Sequence, residues 1–162
     1  MSVRGLVLAL LVTAGPALAA TPLTEPQVRA LVERQSRAWN AGDLAGYFAT
    51  FTADARFTDQ ALGNDNKIVP YGVSTVAQAR AQTRKVMAKS RLSEAATVTA
   101  VTLAPDGRSA RVTARTVSEI ITAGAVRRVC ALRVETVIAT PAGLRASGQT
   151  DTVVRCGARP IR

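Results

Sequence analysis

The sequence predicts an α+β domain with N-terminal helices packed on a curved antiparallel sheet. Three observations predict it. Apolar and small residues at Val28, Leu31, Val32, Gln35, Ser36 and Trp39 recur at helical spacing. From Leu92 onward the pattern changes to long alternating runs separated by Pro/Gly turns. Helices first and a strand meander afterwards is an α+β order, not the alternation of a parallel α/β sheet.

The elements follow in order. Thr24 and Gln27 form a T-x-x-Q capping box, and Pro26 lies in the first turn, where its missing N–H is harmless. The first helix should run to about Ala41, closed by Asn40-Ala41-Gly42. Asp43 caps a short second helix carrying Leu44, Tyr47, Phe48 and Phe51. Thr52-Ala53-Asp54 turns the chain into a strand from Ala55 to Asp59. A polar loop follows, then a short return strand Ile68–Tyr71 that Gly72 breaks. Thr75 and Gln78 open a third helix to about Ser90, with a modestly apolar face. Turns at Ala104–Arg108, near Ala123–Ala125 and at Thr140–Leu144 divide the remainder into strands of about 92–104, 108–121, 126–139 and 144–156.

The chain has 162 residues, enough for one domain after processing. Residues 1–19 read as a secretory signal peptide: Arg4, an apolar run from Gly5 to Gly15, and the A-x-A site Ala17-Leu18-Ala19. The run is too short to span a bilayer. Residues 20–162 form the domain, and the expected location is periplasmic or secreted. The formal charge of +10 comes almost wholly from arginine; Lys67, Lys85 and Lys89 are the only lysines. Such a surface is either simply solvated or makes weak contact with an anionic envelope surface. Nucleic acid is not an expected partner, because aromatic residues are few and no binding motif is present. With no His in the chain, His-based acid–base catalysis and the Ser-His-Asp triad are excluded. No metal site and no cofactor are expected.

The words W-N-A-G-D at Trp39–Asp43 and F-T-A-D-A at Phe51–Ala55, with Asp59 at the strand end, resemble the opening of the nuclear transport factor 2-like superfamily. This superfamily includes SnoaL-like and ketosteroid-isomerase-like proteins. The resemblance implies a cone-shaped roll with a pocket between helices and sheet. It places Asp59 where the isomerases carry a proton-shuttling carboxylate, and Glu135 where they carry an oxyanion-stabilising acid. Each has an ordinary alternative: a strand-end loop cap for Asp59, an exposed residue paired with Arg133 or Arg127 for Glu135. Gln35 falls where the family has a catalytic tyrosine. An amide donates a hydrogen bond but lacks a phenol's acidity. Ligand contacts are expected from Gln35, Trp39, Tyr47 and Tyr71, with Tyr47 alternatively a core residue.

Strand parity pulls the other way. Cys130, Leu132, Val134, Thr136 and Ile138 share one face, and Val129, Ala131, Arg133, Glu135 and Val137 the other. The first is more apolar and would by default pack on the helices. The resemblance turns the second towards the pocket, which requires a sheet-to-sheet homodimer or a bulge that flips the register.

The leading functional expectation is an exported protein that binds a small apolar or amphipathic molecule. The alternatives are a proton-transfer enzyme (isomerase, cyclase or dehydratase) with Asp59 as base, and a dimeric adaptor without a ligand. A Cys130–Cys156 disulfide is expected from hairpin arithmetic. A three-residue loop 141–143 places Cys130 opposite Val154, so one register shift would bring it opposite Cys156. Export has a direct test. N-terminal sequencing of envelope-fraction protein should begin at Ala20, and an intact Met1 in the membrane pellet would contradict the signal reading.

Overall fold

A computed structural model describes residues 22–157. Leu23 anchors the start, its N–H donating to the Gly107 carbonyl at 2.7 Å. The elements are α1 (Glu25–Asn40), α2 (Leu44–Phe48), β1 (Phe51–Leu62), β2 (Ile68–Thr75), α3 (Val76–Met87), β3 (Arg91–Leu103), β4 (Ser109–Thr122), β5 (Ala125–Thr140) and β6 (Gly143–Val154). The strands form one sheet in the order β2-β1-β6-β5-β4-β3. The expected antiparallel sheet is mixed at one seam, where β1 runs parallel to β6. The α3 helix and the β3–β6 meander together make the long crossover that a parallel pair needs. Among the described residues no helix is long and apolar enough to cross a membrane. The proposed signal peptide lies outside the described residues.

Local chemistry accounts for the boundaries. Thr75 Oγ1 accepts from the Gln78 N–H at 3.2 Å, and Gln78 Oε1 accepts from the Thr75 N–H at 2.9 Å. This reciprocal box starts α3 where expected. The second helix stops at Phe48, short of the expected Phe51, because the Thr50 carbonyl is taken by the Ala146 N–H of β6 at 2.9 Å. That bond pulls Phe51 into the sheet, so β1 begins there and not at Ala55. Gly72 does not end β2. It pairs with Asp59 beside a register shift that leaves Tyr71 as the extra residue.

Two apolar clusters hold the helices to the concave face. Leu23, Val28 and Leu31 meet Ala110, Val112 and Val137 at one end. Tyr47, Phe48, Phe51 and Phe57 surround Ala55 and Ala146 at the other, with Trp39 packed against them. Val28, Leu31 and Val137 are fully buried, each stabilising by about 1.5–3 kcal/mol. Between the clusters lies a buried polar waist containing Gln35, Glu135 and Gln149.

The default expectation from parity is overturned. Ala131, Glu135 and Val137 are buried under the helices, while the more apolar Leu132, Val134 and Ile138 are only half-buried on the convex face. No extra residue enters β5. The shift between Thr136 and Val137 arises because β6 inserts Ser147 between Ala146 and Gly148. Hydrophobicity alone misleads here because the concave waist is polar.

The Cys130–Cys156 disulfide is present, with 5.2 Å between the Cα atoms. Its route differs from the expected one. The turn is a two-residue loop closed by the Thr140–Gly143 pair, with Gly143 at φ 95°, and not a three-residue loop. The Ser147 bulge then restores the Cys130–Val154 pairing. No shift follows; the chain leaves the ladder after Val154, and Cys156 reaches Cys130 from the turn beyond. The bond closes a separation of 26 residues, which in the chain-entropy account stabilises by roughly 3 kcal/mol, less for a loop already held as a hairpin. The double variant Cys130→Ser/Cys156→Ser should lose about 1–3 kcal/mol in denaturant titration. Unchanged stability would show that the β5–β6 ladder alone fixes the C-terminus.

Candidate functional site

Arg133 lies at the centre of the waist. It projects from β5 and is directly opposite Asp151 on β6. Its Nε donates to Asp151 Oδ1 at 2.8 Å and its Nη2 to Oδ2 at 3.1 Å. On its other edge, Nη1 and Nη2 donate to the two oxygens of Glu94 on β3, at 2.6 and 3.1 Å. The direct neighbour of Arg133 on β4 is Ala114; Glu94 is reached diagonally, its own β4 partner being Ser118. All three ionic side chains are largely buried. This planar double fork is geometry that lysine could not reproduce.

Neighbours hold the fork in place. Ser118 Oγ donates to Glu94 Oε2 at 2.9 Å. Asn40, at the end of α1, grips the Glu94 backbone from both sides: its Nδ2 donates to the carbonyl and its Oδ1 accepts from the N–H, each at 2.8 Å. Gln149 Nε2 donates to Asp151 Oδ2 at 2.7 Å, and the Tyr47 hydroxyl donates to Gln149 Oε1 at 3.2 Å. Burial holds the Tyr47 phenol well above its ordinary value, so it is a neutral donor.

The network divides the space between helices and sheet into two chambers. The inner one, about 10 Å³, has Gln35, Ser36 and Glu135 in its wall and holds about one water. The outer one, about 210 Å³, is walled by Phe48, Phe57, Asp59, Ala79, Gln149 and Asp151. Trp39, Tyr47, Glu94 and Arg133 line both and form the partition.

Asp59 and Glu135 therefore open onto different chambers. Glu135 is buried, and its carboxyl is pushed up to about 7, chiefly by desolvation, with Arg133 opposing. Its Oε2 has no hydrogen-bond partner, nor has Gln35 Nε2 in the same wall. The Gln35 amide lies near enough to act on the Glu135 carboxyl, but neither of these two atoms completes a hydrogen bond. Asp59 is half-buried; desolvation first, then the Asp151 charge, raise its carboxyl above the ordinary value. Trp39 and Tyr47 line both chambers, and Tyr47 is at the same time core. Tyr71 lines neither chamber and is 61% exposed at the β2 bulge. Among the described residues no group of His, Cys, Asp or Glu has the arrangement to hold a metal ion.

Sequence reasoning left Glu94 and Asn40 out of the site and gave Arg133 and Asp151 no role in it. Part of the signal was present. Parity put Arg133 on the Glu135 face, and the hairpin count set Asp151 opposite Arg133. Glu94 lies two strands away, and nothing local marks it.

No protein-family model matches the sequence, and no curated protein matches it. Solved structures do match. A conserved protein from Planctomyces limnophilus superposes with TM-score 0.67 at 14% identity, over 80% of this chain and 95% of that one. A ketosteroid isomerase-like protein from Erwinia carotovora atroseptica gives 0.61 at 14% identity, over 80% and 95%. A nuclear transport factor 2-like protein with a cystatin-like fold from Novosphingobium aromaticivorans gives 0.58 at 18%, over 82% and 83%. At these identities the likeness establishes the fold, and the fold is the nuclear transport factor 2-like cone.

The Glu135 environment has a measurable consequence. Its carboxyl titrates at about 7 in the folded chain against an ordinary 4.5. Between those values the folded state holds a proton that the unfolded state releases. Stability from this group is full below the window and is lost as pH rises through it. Glu135→Gln removes the titration. Denaturant titrations at pH 5 and 8 should show the variant gaining on the wild type as pH rises, by up to roughly 3 kcal/mol at about 1.4 kcal/mol per unit. A pH-independent difference would mean that Glu135 titrates at its ordinary value.

Proposed function

We propose that this nuclear transport factor 2-like fold serves as an exported binding protein for a small apolar or amphipathic molecule held in the outer chamber. The observation that carries the reading is the chamber itself: about 210 Å³ between helices and sheet, with Trp39, Tyr47, Phe48 and Phe57 on its walls. Concave spaces that set apolar rings beside convergent polar groups are where small ligands bind, and this wall also holds Asp59, Ser74, Gln149 and Asp151. A side-chain-filled waist would have favoured an adaptor. The disulfide is in keeping with an oxidising compartment. The half-buried apolar residues on the convex face, Leu132 and Val134 among them, suit a homodimer through the sheet, and the basic surface suits weak contact with an anionic envelope.

Native mass spectrometry of protein purified without added ligand tests the reading, with Ala79→Phe as control. Ala79 lines the outer chamber from α3, so the larger side chain occupies ligand space. Wild-type protein should carry a co-purified small molecule that Ala79→Phe has lost. Equal loading of both proteins, or empty wild type that also binds no apolar probe, would overturn it.

One observation favours a second reading, proton transfer. A buried carboxyl pushed up to about 7 can stay protonated and donate to a developing oxyanion, as the resemblance implies for Glu135, with Asp59 as base. Asp59→Asn should then lower turnover of an enolisable ketone by roughly a hundred- to ten-thousand-fold. No wild-type turnover across a panel of ketones and lactones would remove this reading and leave binding.

A further inference from the structure

Charge in the outer chamber runs opposite to charge on the protein. The chain has 21 basic and 11 acidic residues, yet the chamber wall holds Asp59, Glu94 and Asp151 against the single cation Arg133. Composition alone would have placed cations there. The guanidinium is already committed on both edges, to Glu94 and to Asp151. Asp59 pairs across the parallel seam with Asp151, carboxylate beside carboxylate. Among the described residues Asp59 forms no ion pair and no side-chain hydrogen bond, whereas both other acids do.

The surroundings of Asp59 leave it open to a ligand. Its partner on β2 is Gly72, where even a Cβ would stand 3.5 Å from Asp59 Oδ2. The same chamber is lined by the rings of Trp39, Tyr47 and Phe48, by Phe57 two residues before Asp59 on β1, and by the uncharged Gln82 and Thr83 of α3. Ring faces attract a cation within about 6 Å.

From this arrangement we infer that the ligand of the outer chamber is an organic cation: an amine whose ammonium pairs with Asp59 and whose apolar body lies against the aromatic wall. The inference rests on the binding reading above. A neutral ligand would displace water from Asp59 and leave its charge uncompensated. An anion would face three carboxylates with the guanidinium already engaged. A divalent metal ion wants a shell of oxygens; the aromatic wall supplies none, and no metal-holding group is formed among the described residues. The ammonium of an amine satisfies Asp59, and the rings bury the rest.

Trp39 is the single tryptophan of the chain and lines the chamber, so its fluorescence reports binding directly. The probes are 2-phenylethylamine, 2-phenylethanol and 3-phenylpropanoate, which share a ring and differ in the charge of the head. The amine should bind at least about tenfold tighter than the alcohol, since a charge-assisted hydrogen bond is roughly twice as strong as a neutral one. The carboxylate should bind weakest. Asp59→Asn should erase the preference of amine over alcohol, and Asp59→Glu should retain part of it. Saturable binding with the alcohol equal to or tighter than the amine overturns the cation inference and leaves the binding reading intact. An amine preference that survives in Asp59→Asn overturns the assignment to Asp59. No saturable response to any of the three overturns both.

Discussion

The double fork of Arg133 onto Glu94 and Asp151 is the interaction around which the concave face and its two chambers are arranged. It joins β3, β5 and β6 across the concave face and separates the two chambers. Burying three charges carries a desolvation penalty of several kcal/mol per ion, which the mutual attraction offsets only when nearly every polar atom has a partner. Here the partners are present: Ser118 on Glu94, Gln149 on Asp151, and Tyr47 behind Gln149. Removing Arg133 alone would leave two buried carboxylates unpaired, a loss of about 3–5 kcal/mol.

The waist is affordable because its two ends are not polar. Val28, Leu31 and Val137 close one end of the cone, and the Phe48–Phe51–Phe57 group closes the other. The ring centroids of Phe48 and Phe57 lie 5.8 Å apart, packing that holds α2 to β1. A face fixed at both ends can hold charged side chains still in the middle. That is the preorganisation a binding or proton-transfer site needs. The orphan atoms of Gln35 and Glu135 fit the same view, since an unpartnered buried polar group is tolerated where a ligand or a water completes it.

Much of the fold was legible. The capping boxes at Thr24 and Thr75 marked two helix starts, and the turn chemistry marked every hairpin of the meander. The Cys130–Val154 pairing came out right through two compensating errors: the loop is one residue shorter than read, and Ser147 adds one back. What failed, failed for long-range reasons. The end of α2 was misplaced because a hydrogen bond from β6 decides it, nearly a hundred positions along the chain. The inward face of β5 was misread by hydrophobicity because sites break the patterning that folding prefers. The family resemblance, aligned at the Ala142-Gly143 turn, placed Glu135 inward where parity did not. Neither could find Glu94, whose place depends on Asn40 and the β3–β4 register.

The central claim is that the charged waist is kept for a ligand and not for stability. The direct measurement is the unfolding free energy of the triple replacement Glu94→Leu/Arg133→Met/Asp151→Leu, with disulfide intact, beside its retention of a small molecule. Well-packed apolar residues in place of a buried ionic triad are often neutral or stabilising by about 1–4 kcal/mol. The account predicts a triple variant at least as stable as the wild type and unable to retain a ligand. A variant several kcal/mol less stable, or one that still retains the ligand, would contradict it.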